Sequence, residues 1–280
     1  RSRPVRPAAS PSHPSVGGVN RLNRGAPGYG QPMAEPGAAV LLSRPSSGRV
    51  FESGRRVRLG DVDPAGRCRL DAVVRYLQDI ARDDSDGSGL RDPMGWVVRR
   101  TMVEVREPAG FEEWLDIATW ASGSGGRWAE RRTSISGDGG ASIEAATLWV
   151  RIDTVTGRPI KLGDEFFEIY GEACGDRRIS ARATLPTTPA ERAESVAWEV
   201  RHTDLDLLGH VNNAAQWVPV EEVLDRSGLE AGRVRAELEH GPGIERAEPA
   251  RLHWVVADGG ADTWLTTGEV TGSAARVRPL

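Results

Sequence analysis

The sequence lacks the features that mark several protein classes. Its 280 residues include two cysteines, Cys68 and Cys174, too few for a disulfide framework or a thiolate metal site, and this fits a reducing compartment. No apolar run approaches the roughly 18 residues that a transmembrane helix needs. The net charge of −4 gives no basic stripe of the kind that binds nucleic acid. We therefore expect a soluble, cytoplasmic protein with neither a nucleic-acid nor a membrane partner.

The first 46 residues have a different composition from the rest. They are rich in proline, glycine, serine and arginine, with no acidic residue before Glu35. Because such a segment buries too little apolar surface to offset its conformational entropy, a disordered extension is predicted over residues 1–46. Its prolines oppose the amphipathic helix of an organelle transit peptide, so a translation start at Met33 is the favoured interpretation.

The remaining chain contains an internal repeat at an offset of 143 residues. VRLGDVDPAGRCRLDAVVRYLQD (57–79) aligns without gaps to VRHTDLDLLGHVNNAAQWVPVEE (200–222), and the six identities include the contiguous frame V-R-x-x-D-x-D-x-x-G. Apolar residues at helical spacing follow each copy. They are Val73, Val74, Leu77 and Ile80 in the first, and Trp217, Val220 and Leu224 in the second.

Runs rich in β-branched and aromatic residues, separated by glycine-rich turns, follow each predicted helix. They are WVVRRTMVEV, EEWLDIATWAS, RWAERRTSIS and ASIEAATLWVRID in the first half, and RVRAELEH, ARLHWVVAD, DTWLTTGEV and a short strand near ARVRPL in the second. One strand, one long helix and about four antiparallel strands make a hotdog layout. The sequence thus predicts an α+β double hotdog, with domains at 47–158 and 197–280 and a linker at 159–196. A generic pair of α+β sandwiches is the alternative, but it leaves the repeated aspartates unexplained.

The chain resembles the acyl-acyl-carrier-protein (acyl-ACP) thioesterases, a double-hotdog family of plants and bacteria, over residues 50–280. The resemblance rests on DLDLLGHVNN followed by Glu221 and Glu222, and on WVVRRTMVEV, IATWASGSGGRWAERRTSI and TLWVRIDTVTGRPIKL. GDVDPAG also resembles the aspartate loop of the single-hotdog 4-hydroxybenzoyl-CoA thioesterases. The resemblance implies hydrolysis of fatty acyl-ACP to free fatty acid and carrier thiol in fatty acid biosynthesis, without a cofactor, and it places Asp206 and His210 in the catalytic set.

Thioester hydrolysis needs an activated water or nucleophile, and positive potential near the carbonyl oxygen. A loop that enters a helix supplies that potential through unpaired amide groups. Asp206 could act as general base or nucleophile, and His210 could orient the thioester or shuttle a proton. Gly209 would let the backbone approach a ligand. The predicted catalytic residues are Asp206, His210, Asn213 and Glu222, and the predicted substrate-binding residues are Gly209, Asn212 and Asp63.

Structural roles compete with these assignments. Asp204 is expected to shape the loop, Asn212 or Asn213 is a natural helix N-cap, and Glu222 could be a solvated helix residue. Two departures from plant-type members also matter. Leu208 replaces an asparagine between the aspartate and the histidine, and Gly243 and Ile244, followed by Glu245, stand where the strand after the helix would carry a glutamate and a cysteine.

The first half lacks most of the polar residues of the second. Arg67 replaces the histidine and Arg69-Leu70 replaces the paired asparagines, whereas Asp63 keeps its place as a reserve candidate. We therefore expect catalysis in the second half and the acyl chain within the first-half helix and sheet. A metal site has too few ligands, and a Cys–His mechanism is poorly supported because Cys174 falls in the linker and Cys68 aligns with Val211.

The expected partner is an acidic acyl carrier protein or a coenzyme A (CoA) thioester. Arginines of the GGRWAERR segment, Arg127, Arg131 and Arg132, are candidates for carrier docking. Two alternatives stay open: a CoA thioesterase for another acyl class, and a catalytically silent acyl-binding protein. A hotdog dehydratase is less favoured, because no acid–histidine pair divided between the halves is evident. The chain is expected to be a monomeric pseudo-dimer or a homodimer.

Overall fold

The computed structural model describes residue 41, residues 43–90 and residues 95–280. Most of the predicted extension, residues 1–46, therefore lies outside the described residues. The described part contains ten strands and three α-helices. All strand pairs are antiparallel, and the strands form one continuous sheet.

The two halves of the chain repeat one order of elements. The first half has β1 (Val50–Arg56), α1 (Leu70–Ser88), β2 (Trp96–Glu107), β3 (Trp114–Ser124), β4 (Trp128–Gly137) and β5 (Ser142–Arg151). After α2 (Asp164–Cys174), the second half has β6 (Glu194–Trp198), α3 (Val218–Arg226), β7 (Val234–His240), β8 (Ala250–Ala257), β9 (Gly260–Thr267) and β10 (Val270–Pro279). One strand, one helix and four strands recur, as predicted.

The strand order is symmetric about the centre of the sheet. It runs β1-β3-β4-β5-β2-β7-β10-β9-β8-β6, so each strand has its counterpart at the mirrored position. The halves meet where β2 pairs with β7, from Arg100 opposite Glu239 to Val105 opposite Val234. The predicted double hotdog is confirmed, and its two halves form a covalent pseudo-dimer.

The two helices share one core at this junction. In α1, apolar residues at helical spacing face the sheet, and Val73, Leu77 and Ile80 are no more than 4% exposed. Trp217, in the 3-10 turn Ala215–Trp217 that precedes α3, is fully buried in the same cluster. Complete burial of a side chain of this kind contributes about 1.5–3 kcal/mol, so this cluster binds the halves together.

Three details differ from the sequence-based expectations. The predicted linker contains α2, whose residues Phe166, Tyr170 and Cys174 recur every four positions and pack against β3 and β4. The predicted domain start at residue 197 falls inside β6, which pairs with β8. The predicted short final strand is the ten-residue β10, which lies between β7 and β9.

Candidate active site

The two copies of the repeat form the same type of loop, with matching backbone hydrogen bonds. In the second copy, Asp206 N donates to His210 O at 2.8 Å and Gly209 N donates to Asp206 O at 3.1 Å. In the first copy, Asp63 N donates to Arg67 O at 2.9 Å and Gly66 N donates to Asp63 O at 2.9 Å. The repeated aspartates and glycine therefore specify a fold element that both halves need.

Two residues of the frame have conformational roles. Gly209 has φ +79° and its counterpart Gly66 has φ +84°, which is the left-handed region that glycine enters at little cost. Asp204 is buried, and its carboxylate accepts hydrogen bonds from the backbone and the guanidinium of Arg201. These contacts support the structural role expected for Asp204. The positive φ of Gly209 gives that glycine a turn-forming role in addition to any ligand contact.

Asp206 lies at the start of the exposed tip of the second loop. Its Oδ1 accepts a hydrogen bond from Leu208 N at 2.8 Å, and its Oδ2 has no hydrogen-bond partner among the described residues. The Leu208 side chain is 60% exposed, so this residue supports the loop through its backbone. One carboxylate oxygen of Asp206 is thus available to a water molecule or a substrate.

The His210 side chain is partly exposed and rests on a glycine. The backbone of His210 bridges to that of Glu245, and Nε2 lies 4.0 Å from Glu245 Oε1, with 40% of the histidine side chain exposed. A Cβ at Gly243 would stand 2.7–2.8 Å from three atoms of the imidazole ring. Gly243 therefore provides the space that the ring occupies.

The paired asparagines have different environments. Asn212 Oδ1 accepts a hydrogen bond from Ala214 N at 2.8 Å, so this side chain shapes the turn into the helix. Neither the side chain nor the backbone N–H of Asn213 has a partner among the described residues. Of the pair, Asn213 is the one with groups to offer a ligand.

The two glutamates of α3 differ sharply. Glu222 Oε1 accepts a hydrogen bond from Arg226 Nε at 2.7 Å on a half-exposed helix face, and no other predicted site residue contacts it. Glu221 instead reaches the other half of the molecule, where its carboxylate contacts Arg67 Nη2 at 2.6 Å and Leu70 N at 2.5 Å. No pattern in the sequence predicts this contact of Glu221 with the other half.

Asp63 is occupied by this contact between the halves. Arg67 Nε donates to Asp63 Oδ2 at 2.9 Å while its two Nη groups hold Glu221. Burial opposes the charge of Arg67, but the hydrogen bonds and charges of Glu221 and Asp63 outweigh it and raise the arginine pKa. The loop of the first half is therefore closed by an internal ion pair, whereas the loop of the second half is open.

A second polar pair lies behind the open loop. The strand after α3, β7, ends with Glu239 and His240, so Gly243 and Ile244 follow this strand and do not belong to it. His240 Nδ1 lies 3.0 Å from Gln216 Oε1, and Gln216 Nε2 donates to Val211 O at 3.2 Å. Both side chains are buried. No local pattern in the sequence predicts this pair.

The proposed docking arginines are mostly unavailable. Because β4 lies between β3 and β5, it is not a sheet edge, and Arg132 is only 1% exposed. Arg131 Nη1 donates to the buried carboxylate of Asp84 at 2.7 Å. The expectation of carrier docking is thus wrong for Arg132 and Arg131, and only Arg127 is exposed.

A cavity lies in the first half, between α1, α2 and the sheet. It is partly open to solvent, and the atom-free space of about 720 Å³ includes both the cavity and the solvent at its mouth. Four aromatic side chains line this aromatic cavity, together with smaller apolar residues and with polar and charged side chains from α1 and β4. The aromatic members are Trp96, Trp149, Phe166 and Tyr170.

Two classes of feature are absent from the described residues. No group of three or more histidine, cysteine, aspartate or glutamate side chains in the described ranges could hold a metal ion. No helix in the same part of the chain is long and apolar enough to span a membrane.

The fold and the loop define the class of protein, which is a double hotdog of the thioesterase type. The sequence profile of the acyl-ACP thioesterase N-terminal domain matches residues 48–170, and that of the C-terminal domain matches residues 187–242. The chain belongs to the acyl-ACP thioesterase family. Family membership supports a thioesterase role.

The relatives of this chain include a bacterial and a plant protein. An uncharacterized protein of Mycobacterium tuberculosis is 29% identical over 86% of this chain and 96% of its own length. The chloroplastic dodecanoyl-acyl-carrier-protein hydrolase of Cinnamomum camphora is 27% identical over 59% of this chain and 48% of its own length.

Two solved structures share the fold. The 12:0-ACP thioesterase of Umbellularia californica superposes with a TM-score of 0.70 at 24% identity, covering 82% of this chain and 98% of that one. An acyl-ACP thioesterase of Bacteroides thetaiotaomicron superposes with a TM-score of 0.67 at 16% identity, covering 82% and 97%.

Proposed function

We propose that the protein hydrolyses fatty acyl thioesters, with acyl-ACP as the preferred carrier form and acyl-CoA as the alternative, and that its active site is the loop of the second half. The observation that carries the proposal is the contrast between the two matching loops. In the first half Arg67 ties Asp63 to Glu221, whereas in the second half Asp206 keeps a free carboxylate oxygen in the same loop as a partly exposed His210.

The first half also indicates where the thioester oxygen would bind. Leu70 N donates to a carboxylate oxygen of Glu221 at 2.5 Å, and Asn213 is the equivalent position in the second half. Because the Asn213 N–H has no acceptor among the described residues, it can donate to the carbonyl oxygen as charge develops there.

The proposed reaction uses one water molecule. Asp206 accepts a proton from the water, whose oxygen bonds to the thioester carbon while the Asn213 amide stabilises the resulting oxyanion. The intermediate collapses as the carbon–sulfur bond breaks, and His210 relays to the leaving thiolate the proton that Asp206 took from the water, so both side chains return to their starting protonation states. The products are a carboxylic acid and a free carrier thiol. Glu222, which is paired with Arg226, has no step in this scheme.

The acyl chain is proposed to occupy the aromatic cavity of the first half. An apolar wall favours an alkyl chain by about 0.8 kcal/mol for each buried methylene. The length of this cavity would then set the preferred chain length.

The test is the release of free thiol from a panel of acyl-ACP and acyl-CoA thioesters. Removing a positioned acid–base group typically costs about 10²–10⁴ in rate, so we expect losses of that size for Asp206→Asn and His210→Ala. Glu222→Gln, on the same loop-to-helix segment, should stay within about twofold of the wild type because its ion pair is exposed.

Each other result has a defined meaning. No turnover of any thioester would contradict hydrolysis and favour the silent acyl-binding alternative. Turnover of CoA thioesters but not of acyl-ACP would show that acyl-CoA is the substrate form in place of acyl-ACP. Full activity in Asp206→Asn would move the catalytic site away from this loop.

A further inference from the structure

We propose that Gln216 and His240 are positioning residues, which hold the backbone of Val211 and thereby place His210 for thioester hydrolysis. The kinetic part of this inference rests on the proposed function. Its structural part, the holding of the loop, does not.

The pair connects three separate elements. His240 is the last residue of β7, Gln216 lies in the 3-10 turn before α3, and Val211 belongs to the loop. His240 Nδ1 lies 3.0 Å from Gln216 Oε1, and Gln216 Nε2 donates to Val211 O at 3.2 Å. Both side chains are 5% exposed, so water does not compete for these bonds.

The carbonyl of Val211 determines which groups donate and which accept in this hydrogen-bond network. A backbone carbonyl can only accept, so the amide NH₂ of Gln216 must face Val211 and its oxygen must face His240. Nδ1 of His240 therefore carries the proton. Burial and the nearby charge of Arg99 lower the pKa of His240 to about 3, which leaves one proton on the ring at neutral pH. Nε2 has no partner in the described part of the chain.

The peptide groups beside His210 are thus held from two sides. Val211 N donates to Ile244 O at 2.9 Å, and Val211 O accepts from Gln216. Val211 follows His210 directly, and Ile244 follows Gly243, on which the imidazole rests. Fixing Val211 against both neighbours sets the direction in which the His210 side chain leaves the backbone.

The first half supports this assignment by contrast. The counterpart of Gln216 is Val73 and that of Val211 is Cys68, so no side-chain amide reaches the equivalent carbonyl, which instead accepts a hydrogen bond from Arg67 Nη1 at 3.3 Å. The backbone bond is nevertheless kept, with Cys68 N donating to Ala109 O at 2.8 Å. The two halves therefore hold the equivalent carbonyl differently. Arg67 itself holds it in the first half, whereas in the second half, where His210 stands in the place of Arg67, the buried Gln216–His240 pair holds it.

The experiment compares His240→Leu and Gln216→Leu with His240→Asn. Asparagine can place an N–H near the position of the histidine Nδ1 and keep the donor, whereas leucine removes it. Thiol release gives kcat and KM for an acyl thioester. Amide hydrogen exchange of a peptide covering residues 205–213 reports the loop without reference to activity.

We expect both leucine variants to lower kcat by about 10- to 100-fold with KM changed less than about threefold, because small misplacements of a catalytic group are costly. Amide exchange in the loop should be faster in both variants. His240→Asn should stay within about threefold of the wild type in kcat and in exchange rate. If His240→Asn keeps the wild-type kcat and exchange rate while His240→Leu does not, the side chain at position 240 acts as a hydrogen-bond donor and does not merely fill space.

Three outcomes would overturn the inference. They are unchanged loop exchange in His240→Leu, faster exchange with unchanged kcat, and equal impairment of His240→Asn and His240→Leu. If the wild type turns over no thioester, the proposed function fails while the exchange rates still decide whether the pair holds the loop.

Discussion

At the scale of single residues, one exchange between matching loops separates an open site from a closed one. Arg67 and His210 occupy equivalent positions after the same turn. The arginine is long and permanently charged, so it bridges Asp63 and Glu221. The histidine is shorter, and it lies on Gly243 with part of its ring exposed. The chemistry of the loop thus depends on a side chain, while its shape depends on the backbone.

Glu221 and Glu222 form a matched pair for a stability measurement. Glu221→Gln removes the carboxylate that neutralises Arg67 in a largely buried setting. We expect a loss of about 3 kcal/mol in the free energy of unfolding, the lower end of the range for breaking such a pair. Glu222→Gln breaks a half-exposed pair and should cost less than about 1 kcal/mol. Equal urea midpoints for the two variants would contradict the closed-loop interpretation.

His240 makes stability depend on pH. Its folded-state pKa is about 3, below the value of about 6.5 for an unfolded chain, so the unfolded state binds the proton first. Its neutral form is fully compatible with folding above pH 6.5, and stability is lost as pH falls below that value. Between pH 7 and pH 5.5 this linkage removes about 1 kcal/mol.

The measurement is urea unfolding of the wild type and of His240→Asn at these two pH values. Asparagine does not titrate, so the variant should lose about 1 kcal/mol less than the wild type over this interval. An identical pH dependence in both proteins would show that His240 is not held neutral.

At the scale of elements, helix length distinguishes the halves. α1 has 19 residues and α3 has nine. The later turns of α1, with Ala81 and Ser85, form one wall of the aromatic cavity. The second half has a separate apolar cluster, which includes Ile244, Leu252 and Trp254, and its shorter helix α3 contributes Val223 to it. The cavity that we propose for the acyl chain therefore lies against the longer of the two helices.

The cavity gives a prediction on substrate length. Ala129, on β4, is buried and lines the cavity, and Ala129→Phe would fill part of it. We expect the preferred acyl chain to become shorter by two or more carbons, since each methylene left out of an apolar wall loses about 0.8 kcal/mol.

A thioester panel from short to long chains measures this change. Ala118→Phe serves as the matched control, because Ala118 lies on the face of β3 that is turned away from this cavity. An unchanged chain-length profile in Ala129→Phe, together with normal activity, would place the acyl chain elsewhere.

Sequence patterns predicted the elements that are formed by residues close together in the sequence. They did not predict the contacts between residues that are far apart in the sequence. The spacing of Val73 and Leu77 predicted α1, and the repeat predicted both loops. α2 falls in the predicted linker although Phe166 and Tyr170 have a helical spacing, because its eleven residues lie between segments that contain Pro159 and Pro186. The pairing of Gln216 with His240 joins residues 24 positions apart, and no local pattern indicates it. Arg132 is buried because of its neighbouring strands, which its own segment does not reveal.

At the scale of the whole molecule, the junction of β2 and β7 makes one sheet from two halves. Leu238 is fully buried there, in the core that both helices share. Leu238→Ala should lower the free energy of unfolding by about 2–5 kcal/mol.

Leu207→Ala is the matched control, because that leucine is 93% exposed and its replacement should cost less than about 0.5 kcal/mol. Calorimetry on both variants checks this prediction. Two separate transitions in either variant would show that the halves unfold independently, contrary to a shared core.

The ion pair between Glu221 and Arg67 also restricts whether one half of the molecule can be replaced by a copy of the other. A symmetric dimer built from two second halves would set each Glu221 against a loop with histidine in place of arginine. That carboxylate would lose its permanent cation and would compete for the amide proposed to bind the thioester oxygen. The two halves have therefore become complementary, and neither can be exchanged for a copy of the other without losing either the closure or the open site.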